Sequence, residues 1–376
     1  MSGRAQTIQP NDFKRQWQFV EEKVIGAVRR VGASGWYILG AEVEAFEKEL
    51  AVFCERTYAI GTGNGLDALE IGLRCLGLRP GDKVLTTPLS AFATTLAIVR
   101  AGGVPVFVDI DATGGIDLAQ CRDLLARDRS IRFLLPVHLY GHALNMEELH
   151  RLRRDFELKL LEDCAQAIGA ASKASRVGRA GQAAAISFYP TKNLGALGDA
   201  GALLTDDSAI AKAAAEMRNY GQSAHYVHSS LGLNSRLDEL HAAILRDAFL
   251  PNLPAWTKAR RKIAQKYLQE IRNPAIEFAA TGSADDSVWH IFPVLVPDRD
   301  GFQKHLRDNG INSGVHYPFI VPDQKALKEA AVESSSAEFK NARRFARDEV
   351  SLPVHPFMSE DEVEAVIAAC NSWSRA

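Results

Sequence analysis

The stretch Ser187-Phe188-Tyr189-Pro190-Thr191-Lys192-Asn193-Leu194-Gly195-Ala196-Leu197-Gly198-Asp199-Ala200-Gly201 sets one lysine between a hydroxyl-and-aromatic run and a glycine-rich run. About thirty residues upstream stands Leu161-Glu162-Asp163-Cys164-Ala165-Gln166, in which acids close an apolar segment. A loop lysine is ordinarily solvated, because lysines are seldom buried. The small, apolar and glycine-rich neighbours of Lys192 predict instead an amine withdrawn from water. Such an amine has a lowered pKa and suits Schiff-base chemistry. A third element is Gly61-Thr62-Gly63-Asn64-Gly65, between the short apolar run Tyr58-Ala59-Ile60 and a helical pattern from Leu66 to Leu76. A glycine turn entering a helix offers backbone N–H groups and the positive helix end to an anion. A dinucleotide fingerprint would require glycine at position 66, which is Leu66.

Outward from these segments the chain alternates. Strand patterns at Lys83 to Thr87, Val104 to Val108, Ile131 to Val137, Leu158 to Glu162, Ala183 to Phe188 and Gly201 to Thr205 are interleaved with helical ones. That order predicts an α/β domain with a mostly parallel central sheet flanked by helices. In such sheets the chemistry lies beyond the carboxyl ends of the strands. Asn64, Ser90, His138, Asp163 and Lys192 all fall at or just past predicted strand ends, so one crevice could collect them. Near Leu237 the texture changes to long helices with basic faces, at Leu240 to Leu250 and Trp256 to Arg272, then to a strand at Ile291 to Val296. Residues 1–245 are therefore expected to form an N-terminal segment and a large domain, and residues 246–376 a smaller C-terminal α/β domain.

An acid, a spacer, a glycine-flanked lysine and an anion loop are what a pyridoxal phosphate enzyme needs. Lys192 would form the Schiff base. Asp163 would keep the ring nitrogen protonated, Gln166 would lie beside the ring, and the glycine loop with Ser187 would take the phosphate. His138-Leu139-Tyr140-Gly141-His142 carries two histidines, but with no acid or cysteine at metal spacing. His138 is expected to be structural or site-lining, and no metal is expected. His316-Tyr317-Pro318 is a candidate substrate wall, and Tyr220, Tyr226 and His228 are further candidates.

Composition narrows the function classes. The 376 residues carry a net charge of −2, which gives no electrostatic footprint for nucleic acid or an anionic membrane. Hydrophobic residues make up 47% and charged residues 24%, as in ordinary globular domains. Five scattered cysteines without a CxxC pair argue against a disulfide framework, a zinc site and an iron–sulfur cluster, and fit a reducing cytoplasm. Met1 to Gln18 is polar and is not expected to act as a signal peptide. No run approaches the ~20 apolar residues of a membrane span.

The chain resembles the DegT/DnrJ/StrS sugar aminotransferases, which are fold-type I pyridoxal phosphate enzymes of the aspartate aminotransferase superfamily. The resemblance runs from about Gly35 to Asn371. It rests on Gly35-Trp36-Tyr37-Ile38-Leu39-Gly40, Gly63-Asn64-Gly65, Pro136-Val137-His138-Leu139-Tyr140-Gly141, Glu162-Asp163-Cys164-Ala165-Gln166 and the Lys192 stretch. Asn234-Ser235-Arg236-Leu237-Asp238-Glu239, His316-Tyr317-Pro318 and Ser351-Leu352-Pro353-Val354-His355-Pro356 complete the ordered set. The resemblance implies a homodimer with shared active sites. Gly65, Leu66 and Ser187 would hold the phosphate of the chain's own cofactor, and Asn234 would reach that of the partner. Trp36, Tyr37, His316 and Tyr317 would meet the substrate. It implies transfer of an amino group from glutamate or glutamine to a keto sugar on a nucleoside diphosphate (dTDP, UDP or GDP), such as a 3- or 4-keto-deoxysugar. Two positions depart from the family pattern. Leu66 replaces a threonine or serine of the phosphate loop. Ala91 replaces the aromatic that stacks on the ring, so either Phe92 stacks or the ring packs on something else. These departures keep open a non-catalytic binding or regulatory protein of the same fold. A pyridoxal-dependent sugar dehydratase is disfavoured, because such enzymes resemble this family but carry histidine at the lysine position.

Overall fold

The computed structural model describes residues 7–172, 175–279, 286–334 and 338–374. The central sheet is built first along the chain, from β1 (Tyr58–Thr62), β2 (Lys83–Thr86), β3 (Val104–Phe107), β4 (Phe133–Leu135), β5 (Lys159–Asp163), β6 (Ala183–Ser187) and β7 (Gly201–Thr205). A short hairpin, β8 (Gln222–Ala224) and β9 (Val227–His228), follows. The C-terminal part contributes β10 (Glu277–Phe278), β11 (Phe292–Leu295), β12 (Glu333–Ser334) and β13 (Glu349–Leu352). Eight strands form one sheet in the order β1-β7-β6-β5-β4-β2-β3-β12. Only β7 runs against its neighbours; the pairs β6–β5, β5–β4, β4–β2, β2–β3 and β3–β12 are parallel. The mostly parallel sheet expected from the alternation is present, with short strands that are buried over nearly their whole length.

Continuous apolar runs such as Ala183-Ala184-Ala185-Ile186 reflect helices packed on both faces. One face is covered by α3 (Gly65–Cys75), whose Leu69, Ile71 and Leu73 pack with Val84, Leu161 and Leu203. The other face is covered by α1 (Phe13–Ser34), α2 (Ala41–Phe53) and the helix Glu239–Ile244, which share a second cluster with Leu134, Leu160 and Ile186. A third cluster lies around the small sheet β10-β11-β13, with Phe292, Val294, Phe302 and Val350 at its centre.

The C-terminal region is more interlaced than its sequence suggests. Ile8 joins the small-sheet cluster and bridges to Ile311, while β12 pairs with the edge of the large sheet. The pattern expected at Leu240 to Leu250 is broken into a helix at Glu239–Ile244, a π-turn at Leu245–Phe249 and a 3₁₀ turn at Leu250–Asn252. Pro251 removes the N–H that would have continued the ladder. No described helix is long and apolar enough to cross a membrane. All five cysteines are free.

Two distant motifs lock together. Gly40 precedes α2 and has no side chain with which to cap it. The buried Glu239 carboxylate does so instead, accepting from the N–H groups of Gly40, Glu42 and Val43 at 2.8, 2.9 and 2.9 Å. It thereby satisfies orphan donors and places a negative charge at the helix N-terminus. Replacing Glu239 by Ala strands these donors. It is expected to cost about 2–3 kcal/mol in urea unfolding, whereas an exposed Glu329→Ala change is expected to stay within about 0.5 kcal/mol.

Candidate active site

The carboxyl ends of β5 and β6 and the start of α3 surround a cavity of about 510 Å³. It is lined by Asp163 and Lys192 together with Asn64, Gly65 and Leu66, and by Gln166, Ser187, His316 and Tyr317. Asp163 is the last residue of β5 and is buried. Its Oδ2 accepts from the Thr94 hydroxyl at 2.8 Å and its Oδ1 from the Ala165 N–H at 3.1 Å. Burial pushes the Asp163 carboxyl up; these two donors, Lys192 and His138 pull against that. Ser90 Oγ lies 2.6 Å from Thr94 Oγ1. Thr94 spends its single hydrogen on the carboxylate, so Ser90 donates to Thr94 and fixes its direction.

Lys192 follows β6 in a tight loop, where its N–H donates to the Tyr189 carbonyl at 2.8 Å. Its amine is out of water. Burial drives its pKa down to about 8, with the charge of Asp163 opposing that fall. The lysine is therefore closer to a neutral nucleophile than an exposed one. His290 and His316 border it as neutral imidazoles: burial first, and the Lys192 charge second, hold both below their ordinary range. His290 is itself oriented through Nδ1, which lies 3.1 Å from Asn193 Oδ1.

Across the cavity, the Asn64 side chain caps α3 by accepting from the Asp67 N–H at 2.8 Å. The N–H groups of Gly65 and Leu66 precede that capped donor, at the positive end of an eleven-residue helix. Two glycines are required here by close approach. A Cβ on Gly65 would sit 2.6 Å from Ser187 Cβ, and one on Gly201 would sit 2.4 Å from the Asn64 carbonyl carbon. Gly201 pairs with Ser187 on one side and Thr62 on the other, so the anion loop is pressed against the ends of three strands. The residues present fit pyridoxal phosphate: a buried amine and carboxylate in one cavity, and a helix N-terminus with the Ser187 side chain beside it.

Other expected residues fall differently. Gln166 is buried and braced at both ends, accepting from the Tyr140 N–H at 2.7 Å and donating to the Tyr317 hydroxyl at 3.1 Å. Phe92, the first residue of α4 (Phe92–Arg100), does not line the cavity. It packs with Tyr317 and Val99 against the cluster around Phe107 and Tyr140, while Ala91 and Ala93 face the cavity. The physical reason is the helix start: Ala91 is the N-cap, so the next side chain turns toward the core. Ser90 and His138 are also absent from the lining. His138 lies at the end of its strand, as expected, but faces Glu162: Nδ1 accepts from the Leu144 N–H at 3.2 Å, so Nε2 carries the hydrogen and donates to Glu162 at 3.0 Å. Glu162 also accepts from Gly178 and Gly181, and these bonds overcome burial to hold its carboxyl below the usual range. His138, Glu162 and Cys164 lie close enough to suggest a metal site, yet both imidazole nitrogens and both carboxylate oxygens are already used. Trp36, Tyr37 and Asn234 are exposed, as are Tyr220, Tyr226 and His228, and none lines the cavity within one chain. Thr94, Asp199 and His290 line it without having been singled out by the sequence. Thr94 lies three residues after Ala91, and its hydroxyl was the available signal.

The DegT/DnrJ/EryC1/StrS aminotransferase family model matches residues 18–371. The chain belongs to this family. It is 41% identical to the erythromycin biosynthesis sensory transduction protein EryC1 of Saccharopolyspora erythraea, over 95% of this chain and 97% of that protein. It is 38% identical to a dTDP-3-amino-3,4,6-trideoxy-alpha-D-glucose transaminase of Streptomyces venezuelae, over 100% of this chain and 98% of that protein. Its fold superposes on the crystal structure of S. venezuelae DesV in complex with a ketimine intermediate, with a TM-score of 0.93 and 37% identity over 98% of this chain and 99% of that one.

The Gly65 approach gives a direct test. Gly65→Ala is expected to weaken pyridoxal phosphate binding about tenfold or more, because the added methyl pushes the anion loop off Ser187. Equilibrium titration of the two proteins with the cofactor measures the difference.

Proposed function

We propose that the protein is a pyridoxal-phosphate-dependent aminotransferase that moves an amino group from glutamate or glutamine to a keto sugar carried on a nucleoside diphosphate. The observation that carries this reading is the pair Lys192 and Asp163, both buried and interacting in one cavity that the N-terminus of a helix also lines. The name of the S. venezuelae relative supports a dTDP-linked sugar and amination at carbon 3. The reading also takes the active unit as a homodimer in which exposed Trp36, Tyr37 and Asn234 complete the partner's site. Residues 1–245 then serve as the cofactor domain and residues 246–376 as the smaller domain.

Bound here, pyridoxal phosphate supplies an electron-accepting ring and a carrier for the amino group. The chain's own residues do the rest. Gly65 and Leu66 give backbone N–H groups to the phosphate, and Ser187 gives a hydroxyl. Asp163, fixed by Thr94 and Ala165, holds the proton of the ring nitrogen. Lys192 would hold the cofactor through its amine and would move a proton to and from the carbon that gives or receives the amino group. Its depressed pKa makes it a competent base near neutrality. Gln166 and Tyr317 hold one another at the edge of the ring site. Ala91 and Ala93 line the cavity where the family pattern has an aromatic, so charged and polar side chains would have to hold the cofactor.

A regulatory protein of the same fold is the second reading, favoured by the name of the S. erythraea relative. The two separate in one spectrum. The enzyme is expected to develop a visible absorption band with pyridoxal phosphate and to lose it on adding glutamate or glutamine. Lys192→Ala is expected to lower turnover about a thousandfold or more. Substantial transamination by that variant would overturn the assignment.

The pH dependence has a definite sign. Cofactor capture needs the neutral amine, so its rate is expected to rise with pH and level off above about 8. Asp163 raises the lysine pKa, so Asp163→Asn is expected to shift this profile to lower pH while weakening retention of the cofactor. Stopped-flow absorbance over about two pH units on either side of the midpoint measures both.

A further inference from the structure

Behind the cavity, on the side of the small sheet, Glu349 opens β13 and is fully buried. Its Oε2 accepts from the His316 N–H at 2.6 Å, and its Oε1 meets the Ser351 hydroxyl. The Ser351 Oγ in turn lies 2.7 Å from His316 Nδ1. His316 lines the cavity, and its other nitrogen, Nε2, has no protein partner among the described residues. A carboxyl, a hydroxyl and an imidazole thus form a single file that ends at the substrate space. We propose that Glu349 and Ser351 are a proton relay behind His316, through which His316 presents Nε2–H to the sugar substrate and can surrender that proton to it. The identity of the acceptor rests on the sugar aminotransferase reading; the relay does not.

The serine hydroxyl has one hydrogen, so the file can point only two ways. With Glu349 protonated, its acid hydrogen goes to Ser351, the Ser351 hydrogen goes to Nδ1, and Nε2 carries its own hydrogen. When Nε2 passes that hydrogen to a substrate oxygen, the Ser351 hydrogen transfers to Nδ1 and the Glu349 hydrogen to Ser351. The balance is a protonated substrate, a neutral imidazole and a Glu349 carboxylate; the reverse transfers restore the file. The surroundings favour this arrangement. Burial raises the Glu349 carboxyl to about 8, against the pull of Ser351, the His316 N–H and the more distant Arg299. His316 is held neutral, down to about 4, by burial and by Lys192. His290 also faces His316, while the phenols of Tyr140 and Tyr317 face Glu349, and burial keeps both phenols protonated. The imidazole therefore responds by changing tautomer rather than by gaining charge.

The test is histidine ¹⁵N NMR of the full chain without cofactor, with the His316 signals assigned by their loss in His316→Asn. The parent protein is expected to hold the Nε2–H tautomer at low pH and to convert to Nδ1–H as pH rises through about 8. Glu349→Gln imitates the protonated acid and is expected to stay Nε2–H throughout. Ser351→Ala cuts the file and is expected to remove the conversion, which provides a second variant if the first fails to fold. With the keto sugar, both variants are expected to lower kcat about tenfold while KM stays within about twofold. Identical His316 behaviour in the parent and Glu349→Gln, or an Nδ1–H tautomer at low pH, would overturn the relay. Failure of the aminotransferase reading would abolish turnover in the parent as well, and would leave the nitrogen shifts to report on the relay by themselves.

Discussion

The structure is organised by one electrostatic constraint: an amine and a carboxylate are buried in one cavity. Neither tolerates burial alone, since removing a charge from water costs several kcal/mol. Lys192 answers by losing affinity for its proton. Asp163 answers by collecting two donors, Thr94 and Ala165. The Ser90–Thr94–Asp163 chain gives the carboxylate a direction as well as compensation.

Distant motifs meet because they finish one another's hydrogen bonding. Glu239 supplies the cap that Gly40 lacks. Four residues before it, Ser235 Oγ accepts from the Gly63 N–H at 3.0 Å, directly behind the anion loop. The segment from 234 to 239 thus ties the loop of Trp36 and Tyr37 to the phosphate cradle. Those two aromatics stay exposed. The second buried acid of the β5 terminus, Glu162, serves a separate purpose. It joins His138 and two loop amides, and so fixes the strand end from which Asp163 projects.

Much of this was legible in the sequence. Lys192, Asp163, Gln166, Ser187 and the Gly65–Leu66 turn lie at or just past strand ends, where the ligand sites of such sheets gather. The parallel sheet itself could be read from the alternation of apolar runs with helical patterns. What escaped depended on direction rather than position. Phe92 lies one residue from the cavity, yet the start of α4 turns it into the core. His138 lies at a strand end but faces a buried acid. Thr94 and Glu349 act through hydrogen bonds to residues 69 and 33 positions away, a pairing that no local pattern encodes. Short strands such as β10 and β12 have two residues each, too few for an alternating pattern to register.

The central claim is that burial selects one lysine of this chain for the cofactor. The most direct measurement is borohydride reduction of the protein after incubation with a stoichiometric amount of pyridoxal phosphate, followed by peptide mass mapping. The account predicts one phosphopyridoxyl label, on the peptide containing Lys192, because burial holds its amine down to about 8 and so makes it the better nucleophile. Label distributed over surface lysines, with the Lys192 peptide unmodified, would contradict it.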